Sequence, residues 1–216
     1  MSNPFFAELV LHTDEARREF ETDPVVLEAV AHGMSVERYR RLLIELYHVV
    51  WHFNPICAAA ASRVSDEERA IRYFLYEHMH EESGHEEWVL NDLEAVGVDR
   101  KAAQSAVPSM FISTVCGYNY WCADRREACS VLGMMYCLEV IASVYGGPFA
   151  SAIRESLLLQ DGRGISFISS HAEMDTQHMV ELRHALNTVK RKSVQSSIIE
   201  SVLVNFHHFT RMFQAL

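Results

Sequence analysis

Apolar residues recur along this chain at three- and four-residue steps, and its nine glycines and five prolines fall almost entirely between those stretches. Such spacing gathers apolar side chains on one face of an α-helix, and no run alternates apolar and polar residues between turn signals as a half-buried strand would. The expected fold class is therefore all-α. With 216 residues, 49% of them hydrophobic, the chain can bury one substantial core. Residues 1–216 read as a single domain, because no internal repeat or low-complexity linker divides them.

Capping signals cut the pattern into helices. Asp23 before Pro24 opens a short helix that stops at Gly33, and Ser35 opens a longer one whose apolar face, from Leu42 through Leu46, Val49 and Val50 to Phe53, ends before Pro55. Ser65 with Glu68 forms a capping box for a helix carried through Tyr73, Leu75, Trp88 and Leu93 to Gly97. A short helix follows Asp99, Pro108 starts the next, and Asp124 with Glu127 caps an apolar helix that ends at Gly146-Gly147-Pro148. A brief helix from Phe149 to Leu159, a long polar one beyond the loop at 161–164, and an amphipathic one from about Ser193 to Phe213 complete the series.

Charge and cysteine usage narrow the partners. Nineteen Lys and Arg against 29 Asp and Glu leave a formal charge of −10. That balance disfavours nucleic acid and anionic membrane surfaces, which attract basic proteins. The N-terminal segment has no basic residues ahead of its apolar ones and meets Glu8, His12 and Asp14 well short of a bilayer span. Five cysteines, odd in number and without a Cys-x-x-Cys pair, read as reduced, buried thiols of a cytoplasmic protein.

Twelve histidines point toward metal. His171, Asp175 and His178 lie within about 60° of one another at 100° per residue, so one helix face can aim all three at a point. Imidazole and carboxylate are ligands that iron, manganese and zinc share, and a mixed set with open positions suits redox iron better than structural zinc. Glu82 and His85 have the Glu-x-x-His spacing of carboxylate-bridged di-iron bundles, with Glu81 one turn from His85 as a competitor. Glu139 sits in the apolar run VLGMMYCLEVIASVYGG, where an ionised carboxylate needs a neutralising partner such as a metal. His48 and His52, one turn apart beside Tyr47 and Trp51, together with Tyr145, are candidates for supporting the ligands or touching substrate.

Glu-x-x-His, then a lone Glu in an apolar helix, then His-x-x-x-Asp-x-x-His: this order resembles the haem-oxygenase-like di-iron oxidase and oxygenase superfamily. The stretch EESGHEEWVLNDL is similar to its TenA-like and CADD-like iron-containing redox enzymes, over nearly the whole chain. The resemblance implies a haem-oxygenase-like bundle of about seven or eight helices without haem. It also implies two labile irons on Glu82, His85, Glu139, His171, Asp175 and His178, and O₂-dependent oxidation of a small amine or carboxylic acid. The fold leaves the substrate open. Some relatives draw a ligand from a Glu seven residues before the histidine, where this chain has His78, so His78, Glu81 and Glu82 all stay in contention. The expected partners are the small substrate and O₂, with a homodimer allowed. Two rival readings are a metal-free TenA-like aminopyrimidine hydrolase using Cys137 and a non-catalytic iron-binding or regulatory protein.

Overall fold

The computed structural model describes residues 4–160 and 162–216, apart from the side chains of residues 175 and 176. Those residues contain no strand and form α1 (Phe5–Glu21), α2 (Pro24–His32), α3 (Val36–Ala61), α4 (Arg69–Glu81), α5 (His85–Ala95), α6 (Arg100–Ser105), α7 (Met110–Arg125), α8 (Val131–Val140), α9 (Gly147–Ser156), α10 (Ser166–Thr188) and α11 (Lys192–Ala215). The pattern along the chain gives nine helices, already more than the seven or eight that the resemblance implies, and two more arise for physical reasons. The N-terminal segment folds as α1, burying Phe5, Leu9 and Phe20. The helix expected from Ser65 to Gly97 divides at Gly84, whose φ of 93° is a left-handed conformation that only glycine adopts without strain.

Several caps fall where the pattern puts them. The Asp23 carboxylate accepts from the backbone N–H groups of Val25 and Val26, and Ser35 accepts from Arg38. Others do not. Ser65 makes no side-chain cap, and its partner Glu68 instead accepts from Arg191 Nε at 3.2 Å after a single 3₁₀ turn. Glu127 caps the 3₁₀ turn at 128–130, while Asp124 pairs with Arg63 and Arg125. The third helix passes through Pro55 to Ala61, with the proline on the exposed side.

The expected stop at Gly146-Gly147-Pro148 is absent. Residues 128–156 form one helical stretch in which a π segment, Ile141–Gly146, leads straight into α9. Pro148 lies in the first turn of α9, directly after the π segment. Gly146 earns its place by packing: a Cβ there would meet the Ala172 Cβ at 3.2 Å and the Ile168 carbonyl oxygen at 3.5 Å. This stretch is long and apolar enough to cross a membrane, yet 67% of its most apolar window is buried inside the protein. It is the core helix. α8 packs against α11 on one side and α10 on another, while α3 packs on α4, α5 and α7. Glu139, near the end of α8, is buried and faces His78 of α4 and His178 of α10.

Candidate metal centre

The turn at Gly84 makes the centre of the site. Glu82 caps the end of α4 and His85 begins α5, so the two are not stacked on one continuous helix as their spacing suggests. The turn nevertheless brings them together: His85 Nδ1–H donates to Glu82 Oε2 at 2.8 Å. The same oxygen lies 3.6 Å from His171 Nε2. The other oxygen, Oε1, lies 3.5 Å from His178 Nδ1 and 4.0 Å from His78 Nε2. Glu139 Oε1 completes that second group, 3.7 Å from His78 Nε2 and 3.6 Å from His178 Nδ1.

Two constellations thus share one carboxylate. His78, Glu82 and His178 form one and Glu82, His85 and His171 the other, with the ligand atoms of each within 4.8 Å of one another. All four histidines and Glu139 are buried. Among the contested residues, Glu82 lies between the two histidine pairs and His78 faces it from inside. Glu81 is exposed and sits outside, with Oε2 3.6 Å from His178 Nε2. That carboxylate approaches the outer nitrogen of His178, whose Nδ1 faces inward. The Asp175 side chain lies outside the described residues.

The local chemistry fits metal. Burial works against ionisation of Glu82, but hydrogen bonds to His171 and His85 outweigh it and hold the carboxyl below the usual range. His171 Nδ1 lies 2.9 Å from the Phe167 carbonyl oxygen, which can only accept, so Nδ1 carries a proton; Nε2 donates to Glu82 when the imidazole is protonated on both nitrogens and offers its lone pair to the site when that second proton leaves. His78 has both ring nitrogens buried without a hydrogen-bond partner among the described residues. A buried imidazole in that state costs stability unless a cation takes its lone pair.

Burial lowers the His78 pKa from 6.5 to about 4, with the carboxylate of Glu82 opposing it. The unfolded chain therefore takes up this proton first as pH falls. In metal-free protein the His78 contribution is complete above pH 6.5 and lost on descending toward pH 4, about 3 kcal/mol in all. Urea titrations of chelator-treated wild type and His78→Gln across that window check this. Parallel slopes in the two proteins would contradict it.

One capping residue escapes the sequence pattern. The N-terminus of α10 has no local side-chain cap. Asp92 of α5 supplies one, accepting from the N–H groups of Gly164, Ser166 and Phe167 at 2.8–3.0 Å and from the Ser166 hydroxyl at 2.8 Å. Tyr39 donates to the Gly164 carbonyl at 2.6 Å and fixes the same loop. Phe167 donates to Asp92 while its carbonyl accepts from His171, so Asp92 orients a ligand candidate through one residue. The available signal is a carboxylate seven residues beyond His85, on the same face of an apolar helix.

A cavity of about 140 Å³ opens against this cluster. Tyr145 lines it with its ring while its phenol lies beside Glu21; burial first and that carboxylate second raise the phenol pKa. His48 and His52 occupy a different face of α3 from the lining residues Leu46, Val49 and Phe53. His52 Nδ1 is 3.1 Å from the Tyr120 hydroxyl, and burial lowers the pKa of both imidazoles. Cys137 is fully buried, does not line the cavity, and has its thiol pKa driven up by burial. A nucleophile needs the opposite.

A family model described as iron-containing redox enzyme matches residues 40–204. None of the curated proteins compared with the chain matches it. Among solved structures, a Shewanella denitrificans domain of unknown function with a haem-oxygenase-like fold superposes with a TM-score of 0.83 at 23% identity, covering 94% of this chain and 88% of that one. A TenA homologue of Pseudomonas syringae gives 0.82 at 13% identity, covering 97% and 91%. Haem oxygenase-1 of Synechocystis, in complex with haem, gives 0.79 at 16% identity, covering 99% and 92%. Identities this low speak for the haem-oxygenase-like fold alone.

Proposed function

The chain belongs to the iron-containing redox enzyme family, and from that premise we propose that it is a non-haem di-iron oxidase or oxygenase acting on a small organic substrate. The observation that carries the reading is Glu82, whose two oxygens each face a separate pair of histidines. His78, Glu139 and His178 would hold one iron with Glu82, and His85 and His171 the other. Asp175 is a further ligand on the family resemblance. When bound, iron supplies the electrons that reduce O₂.

The chain's own residues do the rest. The Phe167 carbonyl keeps the proton of His171 on Nδ1, and Glu81 occupies the outer nitrogen of His178. Apolar side chains keep bulk water from the cluster, which strengthens every charge interaction inside it. The five free, buried cysteines support a cytoplasmic setting. The test is O₂ uptake on mixing anaerobically iron-loaded protein with oxygenated buffer, followed by stopped-flow absorbance. Uptake in proportion to bound iron is expected. Iron-loaded protein that consumes no O₂ beyond free Fe(II) would leave only a storage or regulatory role.

A further inference from the structure

The cavity beside the cluster has a chemical character of its own. Six phenylalanines from five helices line it, Phe20, Phe53, Phe149, Phe167, Phe209 and Phe213, and aliphatic residues of α2, α3 and the π segment fill the gaps between them. Its polar lining among the described residues is His78, Glu82, Glu139 and His171, all at the ligand end, plus Tyr145. Burial first and the nearby Glu21 carboxylate second push the Tyr145 phenol pKa up. No Lys, Arg, Asn, Gln, Ser or Thr is found among the described lining residues.

We infer that the site takes a monofunctional substrate: a hydrocarbon body with at most one polar group, which lies at the ligand end. The inference rests on the cluster being the reaction centre. An ammonium or carboxylate at the far end of such a molecule would meet only phenyl and aliphatic surface, and burying an unpaired charge there is costly. Zwitterions and doubly charged acids are therefore excluded. Size follows from volume. A cavity of about 140 Å³ accepts a benzene-sized body of about six to eight non-hydrogen atoms, as apolar cavities of similar volume do. Val49, Leu138 and Ile168 line the space and report on its occupancy through their methyl groups.

Metal-free protein labelled at Val, Leu and Ile methyls provides the test, with toluene and 6-aminohexanoate as probes followed by NMR. Toluene is expected to saturate and to shift the methyls of Val49, Leu138 and Ile168. 6-Aminohexanoate is expected to bind at least about 100-fold more weakly, since one of its charges must be buried unpaired. Ala142→Phe, on the cavity wall, is expected to abolish the toluene shifts without changing iron content. Toluene leaving those methyls unmoved in the wild type, or 6-aminohexanoate binding comparably, overturns the inference even if Ala142→Phe fails to fold. Iron content of parallel samples of the same proteins, loaded anaerobically with Fe(II) and desalted, separates the two readings. Iron bound without toluene shifts sinks the cavity assignment alone, and toluene bound by protein that takes no iron sinks the metal reading.

Discussion

Glu82→Ala is expected to empty both metal positions at once, whereas His78→Ala and His85→Ala each lose one. The asymmetry follows from position. Glu82 Oε1 faces His78 and His178, and Oε2 faces His85 and His171, so the alanine variant leaves each group with imidazoles but without its shared anion. Four buried imidazoles lose much of their hold on a dication without the carboxylate they share, even with Glu139 facing the His78 group and Asp175 a ligand by family resemblance. Metal analysis after anaerobic loading and desalting reads the three variants against wild type. One iron retained in Glu82→Ala would mean that the carboxylate serves a single position. Glu81→Ala is the informative neighbour: because Glu81 lies on the outer side of His178, iron should be weakened about 10–100-fold at one position and not lost.

Asp92→Ala should be the most damaging change outside the ligands. Three backbone N–H groups at the start of α10 and the Ser166 hydroxyl lose their acceptor together. Removing an N-cap costs about 1 kcal/mol, and leaving buried donors unmet adds to that, so the total is about 3 kcal/mol. A second effect separates orientation from mere stability. The turn that holds His171 Nδ1 against Phe167 is itself held by Asp92. Iron affinity should therefore fall about 10–100-fold at temperatures where the variant is still folded. Asp92→Asn, which keeps an acceptor oxygen, should recover part of both losses. Thermal unfolding and competition for iron with a chelator measure the two effects separately. Unchanged affinity in a folded Asp92→Ala protein would reduce Asp92 to a simple cap.

Much of this centre is legible in the residues because helical periodicity is local. His171 and His178 fall on one face at 100° per residue, and Glu139 stands out as a carboxylate in an apolar run; the fold brings both to Glu82. His78 is harder to read. A histidine on a mixed helix looks like surface until burial shows its ring nitrogens enclosed and unpartnered. The choice between Glu81 and Glu82 depends on where α4 ends, and that is decided by Gly84 adopting a positive φ, which composition alone does not announce. Asp92 lies further from view, because its partners come from a loop and helix start that are distant in sequence.

Two features of the core show tertiary packing overriding local signals. Gly146-Gly147-Pro148 reads as a stop, yet the π segment carries the helix across it, and Gly146 lets α10 approach closely enough to set His171 opposite Glu82. Pro55 likewise fails to end α3, because the proline faces outward. Both cases place residues that would break an isolated helix where packing supplies the compensation.

The central claim is that one carboxylate joins two iron positions with different neighbours. Protein loaded anaerobically with ⁵⁷Fe(II) and desalted tests it most directly, with total iron measured alongside the Mössbauer spectrum. Two irons per chain are expected, giving two doublets of equal area, because one position has Glu139 beside its histidines and the other does not. A single iron per chain with one doublet, or no retained iron, would contradict it.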